Sequence, residues 1–138
     1  MPAINTTTKL IIKSNILNEI TSYFDDFKYE KGGALLLLRN KVVRFIPLKN
    51  ISNVYSSYEF SFDELNEKIS EDDEFDGIGI IHSHVISRDG TCLDKPSRDD
   101  IEFYNNFMKA NQGFKRYVFP IVFKNNKGKV DINWKNIY

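Results

Sequence analysis

The sequence predicts an α/β sandwich built on a mixed sheet, and three observations lead there. A short run that is apolar on both faces, Asp76 to Ile81, reads as the central strand of a covered sheet. Two stretches, one after Ser14 and one after Ser97, repeat apolar residues at helical spacing. Between and beyond them, strand-like runs are joined by turn-forming residues, as in hairpins. The 138 residues match the size of a single domain with one real core.

In chain order, Thr8 to Lys13 reads as a first strand, carried by Leu10, Ile11 and Ile12. Ser14 then suits the N-cap of an amphipathic helix reaching about Phe27, whose stripe of Ile16, Leu17, Ile20, Tyr23, Phe24 and Phe27 is a core face. After an interruption over Tyr29 to Gly33, strands Ala34 to Leu38 and Val42 to Leu48 form a hairpin about a turn at Arg39 to Lys41. Glu30 stands just ahead of Gly32 and Gly33, where the backbone can approach another element with no side chain in the way. Asn50 to Tyr58 reads as a loop and Phe60 to Phe62 as a short strand. Ser61 or Asp63 then caps a helix to about Ile69, and Glu71 to Asp76 is a solvated connection.

The strand Asp76 to Ile81 delivers His82, Ser83 and His84 to its C-terminal end, where α/β folds bind ligands. Val85 to Pro96 is a polar loop, followed by a helix from Ser97 to about Ala110 that buries Ile101, Tyr104, Phe107 and Met108. Two last strands, Tyr117 to Lys124 and Lys129 to Trp134, are joined by a turn over Asn125 to Gly128. Pro120 favours an edge position for the first of these.

Composition narrows the function. The 19 basic and 19 acidic residues balance, without the basic excess or stripe of a nucleic-acid-binding domain. The single cysteine, Cys92, cannot form an internal disulfide, and no charged-then-apolar leader opens the chain, so an intracellular, cytoplasmic protein is expected. The longest apolar run, Ala34 to Leu38, is the length of a strand and no membrane span is expected.

The chemistry concentrates where both histidines fall. In a strand, residues two apart face the same way, so His82 and His84 project side by side, a metal-chelating geometry. Zinc takes imidazole nitrogen and carboxylate oxygen, and a catalytic site typically has three protein ligands with water in the fourth position. His82, His84 and Asp100 supply such a set. A nearby glutamate could move a proton from that water to a leaving amine, and Glu30 is the candidate; Ser97 could donate to the developing oxyanion. A plainer reading stands beside this one: Ser97 and Asp100 are spaced Ser-x-x-Asp, and a capping box would explain both.

These residues resemble the JAMM (MPN-plus) metalloprotease family. Its pattern is a glutamate near a glycine-containing first hairpin, then His-Ser/Thr-His at a strand end, then Ser-x-x-Asp at a helix start. Here the matching residues are Glu30 ahead of Gly32 and Gly33, then His82, Ser83 and His84, then Ser97 and Asp100, with the element order similar over roughly residues 10 to 125. The resemblance implies a JAB/MPN fold, a cytidine-deaminase-like α/β sandwich with a mixed sheet flanked by helices. It implies zinc held by His82, His84 and Asp100, with Glu30 as general acid/base and Ser97 as oxyanion donor. It also implies cleavage of isopeptide or peptide bonds at the C-terminus of ubiquitin or a ubiquitin-like protein. Bacterial members often belong to conjugation-like antiphage systems or sulfur-carrier pathways, and with no such domain fused here, activating or conjugating enzymes would act in trans.

Two departures from the family pattern stand out. Val85 takes the place of the usual proline, and the stretch between His84 and Ser97 is longer than usual. That loop reads as a surface excursion, the alternative being that it shapes or gates a substrate groove. Cys92 within it could be a further zinc ligand, an oxidation sensor or a small packed side chain, the last being preferred. Asp99 competes with Asp100 by adjacency, and the family spacing selects Asp100. Other classes fit less well: a silent MPN scaffold typically lacks the ligands present here, and a zinc deaminase needs a Pro-Cys-x-x-Cys element that one cysteine cannot supply.

Overall fold

The computed structural model describes residues 9–54 and 56–138. Thr8 of the expected first strand, Tyr55 of the expected 50–58 loop and the opening residues read for a leader lie outside them. The described residues form a mixed α/β fold with a curled mixed sheet and three helices. In order the elements are β1 (Ile11–Ile12), α1 (Ser14–Tyr23), β2 (Gly32–Leu38), β3 (Lys41–Leu48), α2 (Phe62–Lys68) and β4 (Gly77–Ser83). Then follow α3 (Arg98–Ala110), β5 (Arg116–Val118), β6 (Ile121–Lys124) and β7 (Val130–Asn133).

The sheet runs β1-β3-β2-β4-β6-β7, with β5 also pairing β4. β2 is antiparallel to both β3 and β4, whereas β4 runs parallel to β5 and β6. Alternation along β2 sends Ala34 and Leu36 to one face and Leu35 and Leu37 to the other, so two cores form. One is closed by Leu65 of α2 with Tyr104, Phe107 and Met108 of α3; the other by Ile16 and Ile20 of α1 with Phe24 and Phe27 beyond it. β4 is buried along its whole length, as expected of a central strand. Its Ile78 and Ile80 face the α3 side, and period two carries His82 and His84 to that side as well.

The hairpin turn is tighter than expected. Arg39 and Asn40 alone form it, both at positive φ (52° and 65°), the backbone of the primed turns that match strand twist. Gly32 and Gly33 serve the close approach anticipated for them. A Cβ on Gly32 would lie 2.4 Å from the Tyr58 ring, and one on Gly33 would lie 2.4 Å from the Ile46 carbonyl oxygen.

Several boundaries differ from expectation for local reasons. β1 is only Ile11 and Ile12. Lys13, with no side-chain acceptor, occupies the N-cap of α1, and Ser14 is already helical. The helix ends at Tyr23, and shortly beyond it Asp26 accepts from the Lys28 amide at 2.7 Å, a local turn that competes with helix. Phe24 and Phe27 reach the core from the irregular backbone beyond α1. No strand forms at Phe60 and Phe62, because the Ser61 hydroxyl accepts from the Glu64 amide and starts α2 at Phe62. Ile101 is 44% exposed: Asp100, four residues before Tyr104, takes the inward position and turns Ile101 outward.

The expected strand Tyr117 to Lys124 is broken at Phe119 and Pro120 into β5 and β6, and Pro120 is not at the sheet edge. Having no N–H, it interrupts the ladder, while its carbonyl still accepts from the His82 amide at 3.3 Å. The acidic stretch 71–76 is also less free than expected, since Asp73 pairs with Arg44 and Asp76 accepts from the Arg39 amide. Among the described residues, no helix is long and apolar enough to cross a membrane.

Candidate metal centre

The site forms where the C-terminal end of β4 meets the N-terminus of α3. Strand period two aims both imidazoles at one side, and the capped helix start presents Asp100 to them. His82 Nε2 lies 3.2 Å from His84 Nε2. Asp100 closes the triangle, with Oδ2 at 3.0 Å from His84 Nε2 and Oδ1 at 3.3 Å from His82 Nε2. A tetrahedral ion with bonds of about 2.0–2.1 Å needs ligand atoms about 3.3 Å apart. The buried His82, His84 and Asp100 group therefore has the spacing and the donor chemistry to hold a metal ion.

The imidazole of His84 is already oriented for this. Its Nδ1 lies 3.0 Å from the Leu93 carbonyl oxygen, which can only accept, so Nδ1 carries a proton, and loss of the one that Nε2 shares with Asp100 leaves a lone pair facing the group. Leu93 belongs to the long loop before α3. That loop is therefore more than a surface excursion: its backbone supports a metal-ligand candidate, and Leu93, Ser87 and Thr91 line the cavity.

The capping box is also real. The Ser97 hydroxyl accepts from the Asp100 amide at 3.0 Å, and Asp100 Oδ2 accepts from the Ser97 amide at 2.9 Å. A carboxylate offers about four lone-pair sites, so the cap on Oδ2 leaves Oδ1 free to face the group. Serving only as acceptor in the cap, the Ser97 hydroxyl has its proton left over for another partner, at a residue that lines the cavity. The capping and site readings thus coexist in the same two residues.

Glu30 reaches the site through strand register. Gly32 pairs with His82 in the β2–β4 ladder, and the Ser83 amide donates to the Lys31 carbonyl at 2.9 Å. One residue further, Glu30 falls opposite His84. It is buried, at 8% exposure, and lines the same cavity of about 810 Å³ as both histidines, Ser97 and Asp100.

Electrostatics follow from this crowding. Burial pushes the Glu30 carboxyl up to about 8, with His84 partly offsetting and Asp100 adding to the rise. Burial also works against ionised Asp100, but hydrogen bonds from His82, His84 and the Ser97 amide outweigh it and hold that carboxyl well below its usual range. For His84, burial favours the neutral ring; the Asp100 carboxylate, the Leu93 carbonyl and Glu30 prevail and raise its pKa. One acid held ionised beside another held neutral is the arrangement that separates acid and base roles in a shared site.

Of the other candidates, Cys92 is outside the ligand group: its thiol lies 3.3 Å from the His84 carbonyl, and its side chain packs on the α1-side core. Asp99 is exposed at the cavity rim and is likewise outside the group. Two further residues belong to the site without a clear mark in the sequence. The spacing marks Tyr104 only as core, yet the residue lines the cavity, and its buried hydroxyl has no hydrogen-bond partner among the described residues. Tyr58 falls in a stretch that the sequence marks only as loop, yet its ring lies parallel to that of His82, centroids 6.4 Å apart. A tyrosine four residues after the candidate ligand was the available signal for Tyr104; nothing local marked Tyr58. No protein-family model matches the chain, and no curated protein matches it.

Proposed function

We propose that this chain is a zinc-dependent isopeptidase or peptidase of the JAMM (MPN-plus) type, with a JAB/MPN fold, acting at the C-terminus of ubiquitin or a ubiquitin-like protein. The observation that carries the reading is the convergence of residues from three separate segments. Glu30 before β2, His82 and His84 at the C-terminal end of β4, and Ser97 and Asp100 at the start of α3 all line one cavity, in keeping with the family pattern. The two-histidine, one-carboxylate set suits zinc, which lowers the pKa of bound water to about 7 and so supplies a nucleophile at neutral pH.

The chain's own residues divide the remaining work. Burial brings the Glu30 carboxyl to about 8, close enough to neutral pH that a cation on the adjacent group would favour its ionised form, which can accept a proton and return it to a leaving amine, an effect typically worth about 10²–10⁴ in rate. Ser97 keeps a hydroxyl proton for the carbonyl oxygen of the scissile bond. Cleavage of ubiquitin or a ubiquitin-like partner is the biological act proposed, in deconjugation or precursor processing, with antiphage conjugation-like systems as a fitting setting.

The test is zinc content together with cleavage of a linear ubiquitin–reporter fusion and a lysine-linked di-ubiquitin, for wild type and Glu30→Ala. Stoichiometric zinc in both proteins, with cleavage by wild type and at least about 100-fold less by the variant, is expected. Equal cleavage by both would remove Glu30 from the mechanism, and absence of zinc would remove the mechanism itself.

A further inference from the structure

Asn50, two residues beyond the end of β3, makes four hydrogen bonds with its side chain, all to backbone. Nδ2 donates to the carbonyls of Glu30 and Ser57, each at 2.9 Å. Oδ1 accepts from the amides of Ser52 at 2.9 Å and Glu59 at 3.2 Å. Both donors and both acceptor sites of the amide are thus in use.

These partners are not a random set. Ser57 and Glu59 flank Tyr58, whose ring covers Gly32 and lies parallel to His82, and whose hydroxyl donates to the Leu48 carbonyl at 3.0 Å. Strand register sets Glu30 opposite His84, but the bonds to β4 end at Lys31 and Ser83, so the Glu30 carbonyl itself is held by Asn50 and not by the ladder. A single amide therefore joins the segment carrying Glu30 to the loop that forms the cavity wall beside His82.

We infer that Asn50 is a positioning residue that sets Glu30 and the Tyr58 wall against the metal group. The inference rests on the reading of Glu30 as the acid/base group given above. The two halves of the side chain do separable work: the acceptor half organises residues 52–59, and the donor half fixes the Glu30 carbonyl.

Asn50→Asp separates the halves. Its carboxylate still accepts from Ser52 and Glu59, but it donates nothing and sets negative charge against the Glu30 and Ser57 carbonyl oxygens. Asn50→Ala loses both halves. In the zinc-loaded full chain, Asn50→Asp is expected to keep wild-type zinc stoichiometry and a KM within about twofold on the ubiquitin–reporter fusion. Its kcat should fall by about tenfold or more, since a misplacement near 1 Å can cost about 100-fold. Asn50→Ala is expected to lower kcat and also to raise KM, as the wall loosens.

Hydrogen–deuterium exchange on the same proteins supplies a readout independent of activity. Asn50→Ala should speed exchange in both 28–32 and 56–60, and Asn50→Asp mainly in 28–32. Wild-type kcat in Asn50→Asp, or wild-type exchange over 28–32 in Asn50→Ala, overturns the inference. So does parallel loss of zinc and kcat in Asn50→Asp, which would mark a purely structural role. If wild type loads zinc yet cleaves neither ubiquitin probe, the hydrolase reading fails on its own, and the exchange over 28–32 decides the clamp.

Discussion

Asp100 holds two geometries at once. One oxygen closes the capping box with the Ser97 amide while the carboxylate faces both histidines. Asparagine can preserve the cap, because its carbonyl oxygen still accepts, but it is a poor metal ligand. Asp100→Asn should therefore lower metal affinity by more than about 100-fold, beyond the 10–100-fold that loss of a supporting partner costs, with α3 still folded. Asp99→Asn should retain the metal. Zinc content after dialysis against a chelator distinguishes them, and release from Asp99→Asn instead would reverse the assignment. Glu30 yields a pH signature in the metal-free protein. With its carboxyl raised from 4.5 to about 8, the folded chain holds a proton across that window that the unfolded chain has released. Stability from this group is thus full below about pH 4.5 and is lost as pH rises through about 8. Glu30→Gln cannot ionise, so its Tm should gain on that of wild type through the window and then hold constant; a constant difference throughout would mean that Glu30 ionises freely.

At the scale of elements, α3 is where helix physics and site chemistry coincide. Its N-cap hydroxyl is also the proposed oxyanion donor, and the two uses can be parted by substitution. Glycine at an N-cap costs only a few tenths of a kcal/mol against about 1 kcal/mol for alanine, while both lack the hydroxyl. Ser97→Gly should thus keep most of the stability that Ser97→Ala loses, yet both should drop turnover by about 10²–10³. Thermal melts paired with kcat on the ubiquitin–reporter fusion measure this, and near-normal turnover in Ser97→Gly would reduce Ser97 to a cap. Most elements were legible because their causes are local: β4 as an apolar run, α3 as a capped stripe, the hairpin as its turn. Local pattern and structure part where a neighbour intervenes. Phe60 and Phe62 alternate like a strand but flank a helix cap, and the strand around Pro120 broke because proline has no amide to donate to the ladder.

At the scale of the whole molecule, the site joins elements that share no local sequence, so metal binding should stabilise the entire fold. Zinc at about 100 times its dissociation constant contributes about 2.7 kcal/mol, which for a chain of this size raises Tm by roughly 10 °C. A chelator should reverse the shift, and His82→Ala should abolish it; an unchanged shift in that variant would place the metal elsewhere. The sequence by itself determined the ligand group in outline, because strand period two aligns His82 with His84 and a Ser-x-x-Asp helix start fixes where Asp100 points. Tertiary structure alone decided the rest. Glu30 faces His84 through the register of β2 on β4, Leu93 lends its carbonyl to His84 because its loop folds back, and Asn50 reaches Glu30 across twenty residues. Side-chain periodicity is a property of a few adjacent residues, whereas strand register and loop return depend on pairings between distant segments, so no short stretch of this chain encodes them on its own.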